Sequence, residues 1–197
     1  IAKLAMHRLL QPVLDEPQLR LLCHEGEFQP LLGELVLHKL DAVLSDRPAP
    51  PNPALKTTSQ LLGTSALAWY APAPWAAAAR QNFPHNLAQV PLLLPTEHAA
   101  VRARINHWLE REHIRPRIAG EFEDSALLST FAASGMGVMP APLLLQTHLH
   151  TTCALELVGT TPDVHEEFHL IYSERKVMHP LLVRLLAIAV DESLLNS

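Results

Sequence analysis

A chain of 197 residues with 48% hydrophobic and 18% charged content is long enough for one large domain or two smaller ones, and reads as a soluble globular protein. Its net charge of −5, with 15 Lys and Arg against 20 Asp and Glu, argues against nucleic-acid binding by this segment, because phosphate contact needs clustered cations. Pro, His or charge breaks every apolar run short of the roughly 18 residues a membrane span requires.

Residues 1–14 set Ala2, Ala5, Met6, Leu9, Leu10 and Val13 at helical spacing, with Pro12 near the end, and predict a helix. Lys3, His7 and Arg8 lie inside that apolar pattern rather than ahead of it, so it is not a signal peptide, and a start at Ile1 suggests a fragment. "QLRLLCHEG" (18–26) places Leu19, Leu21 and Cys23 on one face and Leu22 on the other, a strand of a covered sheet that Gly26 ends. "EFQPLLGELVLHKLD" (27–41) gives a helical face of Leu31, Leu32, Leu35, Val36 and Lys39, and "DAVLSD" (41–46) reads as a short strand. Helix, strand, helix, strand is the rhythm of a parallel sheet with crossover helices. Cys23 and Cys153 have apolar neighbours and no CxxC spacing, as reduced core residues of a cytoplasmic protein would.

A Pro-rich loop follows at 47–55, then an extended hydrophobic strand with a Pro-punctuated crossing, "KTTSQLLGTSALAWYAPAP" (56–74). The second half repeats the alternation: a helix in "WAAAARQNF" ending before Pro84, a strand in "QVPLLLP", and a helix in "TEHAAVRARINHWLEREHI" with Val101, Ile105, Trp108 and Leu109 inward. A third strand, "RPRIAGEFED" (115–124), leads to a helix that Asp124 and Ser125 cap and that carries Leu127, Leu128, Phe131 and Ala132. Gly135 and Gly137 stop it, and "VMPAP" is a strand. The tail predicts a loop with a weak helix at 143–148, two strands in "CALELVG" and "EEFHLIYSE", and a closing helix over 179–195 with Pro180 in its first turn.

Two α/β units are expected, residues 1–70 and 71–163, with 164–197 returning to the first. Ligands of open α/β sheets bind at the carboxyl ends of strands and at helix N-termini. That rule selects Asp46 and Arg47 after one strand, Tyr70 at the crossing, Thr96 and Glu97 after another, and Glu123, Asp124 and Ser125 after a third. No GxSxG, GxGxxG or Walker loop is present, and Ser134 lies at a helix end. His148, His150 and Cys153 form an HxHxxC cluster in a predicted loop that lacks the fourth ligand of a structural zinc site. Glu121 and Glu123 share a strand face on opposite sides of Phe122, and two like charges without a cation make a candidate cation site.

Taken together, "EGEFQPLLGELVLHKLDAVLSDRP", "WLEREHIRPRIAGEFEDSALL" and "FAASGMGVMPAPLL" resemble the regulatory domain of LysR-type transcription regulators. The first matches at Glu25, Gly26, Leu32, Leu35, Leu40, Asp41 and Leu44, the second at Ile114 and Pro116 before its Glu-rich strand, the last at Ala133, Gly135, Gly137, Val138 and Pro140. The resemblance covers essentially the whole chain. It implies an α/β, type 2 periplasmic-binding-protein-like fold, with two α/β subdomains joined by crossing strands. It also implies no catalysis, homodimers or tetramers through the regulatory domains, and promoter DNA bound only by an N-terminal winged helix-turn-helix domain outside this chain. The strand that opens such a domain is expected before Ile1.

Within the family, "LDAVLSDRP" and "RPRIAGEFEDSALLSTFAASGMGVMPAP" look most like the sodium-responsive activators of Na⁺/H⁺ antiporter genes. That likeness implies no cofactor, and Na⁺ or Li⁺ as effector, with a pH response that the histidines would serve. A hard cation prefers oxygen ligands, which Glu123 and Asp124 foremost, with Ser125 and Asp46, would supply. The positive end of the helix behind Asp124 argues instead for an anion held by Thr96, Ser125 and Arg47. The rival classes are a periplasmic-type solute-binding protein and an enzyme on the same scaffold.

Overall fold

A computed structural model describes residues 3–52, 56–174 and 179–188. The chain divides into two units, Lys3–Thr64 with Glu167–Ser197, and Ser65–Glu166. Two long strands, β2 (Thr57–Ala71) and β6 (Glu156–Ser173), pass from one unit to the other.

In the first unit, α1 (Lys3–Leu14) buries Ala5, Leu9 and Val13, a stripe at intervals of four. It packs on α7 (Pro180–Ile188), whose Arg184 donates to the Pro12 carbonyl at 2.8 Å and pairs with Glu16 at 3.5 Å. The second helix, α2 (Phe28–Val36), sets Leu32 and Leu35 against Val43 and Ile171, with Phe28, Leu31, Leu40 and Ala49 around them. Strand β1 (Val43–Ser45) pairs antiparallel with β6, Val43 opposite Ile171 and Ser45 opposite His169.

The parallel rhythm expected for the first 46 residues is therefore corrected. Residues 19–27 form no strand, and Leu21 and Leu22 are 48% and 66% exposed. A strand holds only where a neighbour completes its ladder and a face is covered, and neither condition is met among the described residues. The second predicted strand forms, but against the returning chain. Of the closing helix, residues 189–195 lie outside the described residues.

In the second unit, β3 (Pro91–Pro95) and β4 (Arg117–Phe122) are parallel, with a register shift between Leu92 and Leu93. On the other side of β3, Leu92 bridges Val138 in parallel. A Cβ at Gly137 would fall 2.4 Å from the Pro91 carbonyl oxygen, so only glycine permits that approach. Strand β5 (Met139–Pro142) pairs antiparallel with β2, Leu67 opposite Pro142 and Tyr70 opposite Met139.

The core of this unit joins Leu67, Trp69 and Ala71 of β2, Leu92 and Leu94 of β3, and helices α3 (Ala73–Arg80) and α4 (Ala100–Arg111). Trp69 and Trp108 have centroids 5.9 Å apart, and Trp69 Nε1 donates to Thr161 Oγ1 at 2.9 Å. Val101, Ile105, Trp108 and Leu109 all point inward, as their spacing predicts, each contributing about 1.5–3 kcal/mol by burial.

Two further expectations are revised. The HxHxxC cluster lies on a helix, α6 (Gln146–Cys153), not in a loop. The two predicted tail strands are one, the 18-residue β6. Thr161 and Val164 are buried in the intervening stretch, so its backbone stays extended through Pro162.

Candidate functional site

Parallel strands deliver their carboxyl ends to the same edge of a sheet, and β3 and β4 do so here. Beyond Pro95 the chain runs through Thr96, Glu97 and His98 into α4; beyond Phe122 it runs through Glu123 and Asp124 into α5 (Ser125–Ala133). Thr96 N donates to the Phe122 carbonyl at 3.1 Å, extending the ladder past the strand ends. Five of the residues selected from sequence, Thr96, Glu97, Glu123, Asp124 and Ser125, thus share one rim.

Asp124 is the N-cap of α5: its Oδ1 accepts from Leu127 N at 2.7 Å, answering a helix amide that has no intrahelical partner. Ser125 is the first helical residue. Glu123 lies past the strand end, with its Oε1 3.8 Å from His98 Nε2, and both side chains are largely exposed.

Below the rim sits Arg102, whose side chain is only 5% exposed. It donates to the Pro95 carbonyl, to Glu121 and, at 2.9 Å, to Asn106 Oδ1, and pairs with Glu97 at 3.3 Å. A buried guanidinium is tolerated only when its donors are satisfied, and here they gather the ends of both strands. The sequence-based picture of Glu121 and Glu123 as like charges without a cation is thereby corrected, because Glu121 has Arg102. Arg102 lies three residues before Ile105 and seven before Leu109, on the buried stripe, and that position is the signal sequence reasoning passed over.

Tyr70 is placed elsewhere. It is the penultimate residue of β2 and faces Met139, the first residue of β5 and one beyond the Val138 that bridges Leu92. The ring is fully buried, its hydroxyl has no hydrogen-bond partner among the described residues, and burial pushes the phenol well above its ordinary range.

Asp46 and Arg47 belong to the first unit, where they follow β1. Arg47 Nε donates to Asp46 Oδ1 at 2.9 Å, and the guanidinium lies 5.7 Å from the centroid of the Phe28 ring. Beside them, Ser45 is buried opposite His169, whose Nε2 is 2.9 Å from Glu167 Oε2. These polar residues went unnoticed in sequence, although His169 stands out within the buried run from Phe168 to Ile171. On α6, His148 Nδ1 lies 3.4 Å from Thr152 Oγ1, and among the described residues no three His, Cys, Asp or Glu side chains converge.

Two crossing strands joining two α/β units narrow the family, and comparison with known proteins decides it. The model of the LysR substrate binding domain matches residues 4–193. The chain belongs to this family. Its fold is the type 2 periplasmic-binding-protein-like fold, and its relatives are transcriptional regulators, not enzymes. The transcriptional activator protein NhaR of Escherichia coli (strain K12) is 28% identical over 173 residues, 88% of this chain and 56% of NhaR. The chain thus spans about half the length of that relative. The LysR family regulator CbnR superposes with a TM-score of 0.71 at 16% identity, covering 95% of this chain and 65% of that one. The effector-binding domain of QuiR, solved in complex with shikimate, does so with a TM-score of 0.61 at 12% identity, covering 94% of this chain and 87% of that one. At such identities the structural likeness speaks for the fold alone. No helix of the described residues is long and apolar enough to cross a membrane.

Proposed function

We propose that this chain is the effector-sensing part of an NhaR-like transcriptional activator that responds to Na⁺ or Li⁺ and controls Na⁺/H⁺ antiporter expression from the cytoplasm. In that regulator, promoter DNA is held by a winged helix-turn-helix domain outside these 197 residues, and the regulatory domains associate as dimers or tetramers. The observation that carries the proposal is the NhaR relationship along 88% of the chain. The acidic rim supports it. With Asp124 capping α5 at Leu127 N and Glu121 and Glu97 paired with Arg102, the largely exposed Glu123 is the rim carboxylate best suited to an alkali cation. Asp124 also offsets the positive end of α5, which would otherwise repel a cation. An effector acts by its differential affinity for the arrangements the regulator adopts.

The part of Glu123 in cation binding is tested by ²³Na relaxation of the chain in a sodium titration. Line broadening that Li⁺ competes away, and that Glu123→Gln reduces, is expected; broadening that survives the substitution unchanged would remove Glu123 from the site.

A small organic anion is the second candidate effector. It is favoured by the start of α4, where Ala99 occupies the N-cap position and supplies no side-chain cap, leaving Thr96 and Ser125 as hydroxyl donors on the same rim. The shikimate complex of QuiR is in keeping with it.

A further inference from the structure

Four oxygen atoms of the second unit close on the guanidinium of Arg102. The Pro95 carbonyl and Glu121 Oε1 both meet Nη1, Glu97 Oε1 lies 3.3 Å from Nη2, and Asn106 Oδ1 accepts from Nε at 2.9 Å. Asn106 Nδ2 in turn donates to Glu97 Oε1 at 3.4 Å. Two carboxylates, an amide carbonyl and a backbone carbonyl make the kind of oxygen set that takes a hard divalent cation. Here the chain supplies the positive charge itself. Among the described residues neither Glu97 nor Glu121 pairs with any other cation, so without Arg102 two negative charges would face the space the guanidinium fills. Arg102 is 5% exposed, while Glu97 and Glu121 are 68% and 46% exposed. An ion arriving from solvent therefore reaches both carboxylates and finds each already paired.

We propose that Arg102 determines the ion specificity of the acidic rim by standing, as a built-in cation, where a divalent ion would otherwise bind, and so shuts divalent cations out. The inference deepens the sodium reading, on which its meaning for sensing rests. A divalent ion gains twice what a monovalent one gains from a given carboxylate, and two carboxylates around one space favour it most. Arg102 offsets one of those two charges and holds the inward oxygen of each. The remaining acids are dispersed, with no three His, Cys, Asp or Glu side chains converging among the described residues, and draw no divalent ion out of its hydration shell.

The test is thermal unfolding in calcium chloride against choline chloride at matched ionic strength, for the parent, for Arg102→Ala, and for Arg102→Ala combined with Glu121→Gln. The parent should show no rise in Tm specific to calcium. Arg102→Ala, less stable than the parent in choline chloride, should gain about 3–6 °C at a calcium concentration about ten times Kd, through a response that saturates. Adding Glu121→Gln should weaken the calcium affinity by about tenfold, because one of two charged ligands is gone. Arg102→Gln, which keeps a hydrogen-bonding stem, takes the place of Arg102→Ala in both variants if the latter does not fold. A purely structural Arg102 would lose stability in both salts alike and recover none of it with calcium. A parent that calcium stabilises as much as the variants, or variants that calcium does not stabilise, would overturn the proposal. The parent in sodium chloride reports on the sodium reading alone: no response there would sink that reading and leave the calcium result standing.

Discussion

Arg102 and Glu121 meet where β4 ends, and their ion pair turns a run of acidic residues into a partly neutralised rim. Arg102 is buried while Glu121 is about half exposed, so the two partners do not contribute alike. Removing the carboxylate leaves a buried cation with fewer acceptors; removing the cation leaves a carboxylate that water can reach. Glu121→Gln is therefore expected to cost about 1–2 kcal/mol, less than a fully buried pair because of that exposure. Urea unfolding measures it, and a variant as stable as the parent would show that Glu97, Asn106 and the Pro95 carbonyl suffice for Arg102.

Asp124 caps its helix by accepting from Leu127 N. Asp124→Ala should lower stability by about 1 kcal/mol, whereas Asp124→Asn, which keeps a capping oxygen, should lose only a fraction of that. Equal losses would mean that the charge of Asp124, and not its acceptor, matters.

Gly137→Ala drives a methyl group into the Pro91 carbonyl, a backbone atom that cannot swing aside. The Leu92–Val138 bridge must then part, and a loss of about 2–3 kcal/mol is expected. Gly135→Ala meets open space but sits at a φ of +96°, so its cost is conformational, about 1 kcal/mol. Thermal unfolding of the two variants separates a clash from backbone strain.

Tyr70→Phe removes a buried hydroxyl that has no partner and should leave stability unchanged or raise it by about 1 kcal/mol. The pH dependence has a definite sign. Burial raises the folded-state phenol above the ordinary value of 10.0, so the folded protein keeps a proton that the unfolded chain releases. That contribution is fully present below pH 10 and is lost as pH climbs above it. In denaturant titrations the difference between the parent and Tyr70→Phe should be constant below pH 10 and widen only above it.

Much of the second unit was legible because its signals are local. The N-cap at Asp124, the inward stripe of α4 and the glycines before β5 each depend on a few neighbouring residues, and each stands where its pattern puts it. What escaped depends on partners distant in sequence. Leu19 to Cys23 alternate as a strand should, yet no ladder completes them. The merging of two tail segments into β6 follows from Trp69 reaching Thr161, a contact across ninety-two positions. Arg102 and His169 look like surface residues in composition and become buried nodes only through Glu121 and Glu167. The sequence pointed to five residues that share one rim, whereas the cation beneath them depends on a distant partner, and Tyr70, expected at the crossing, lies buried opposite Met139.

The most direct test of sodium sensing is thermal unfolding of the chain in NaCl, LiCl, KCl and choline chloride at matched ionic strength. A ligand that binds the folded state raises apparent stability by mass action. The proposal predicts a higher Tm in NaCl and LiCl than in the other two salts, a difference that Glu123→Gln abolishes. Identical curves in all four salts would contradict it and would leave the rim as a capped helix start awaiting an anionic effector.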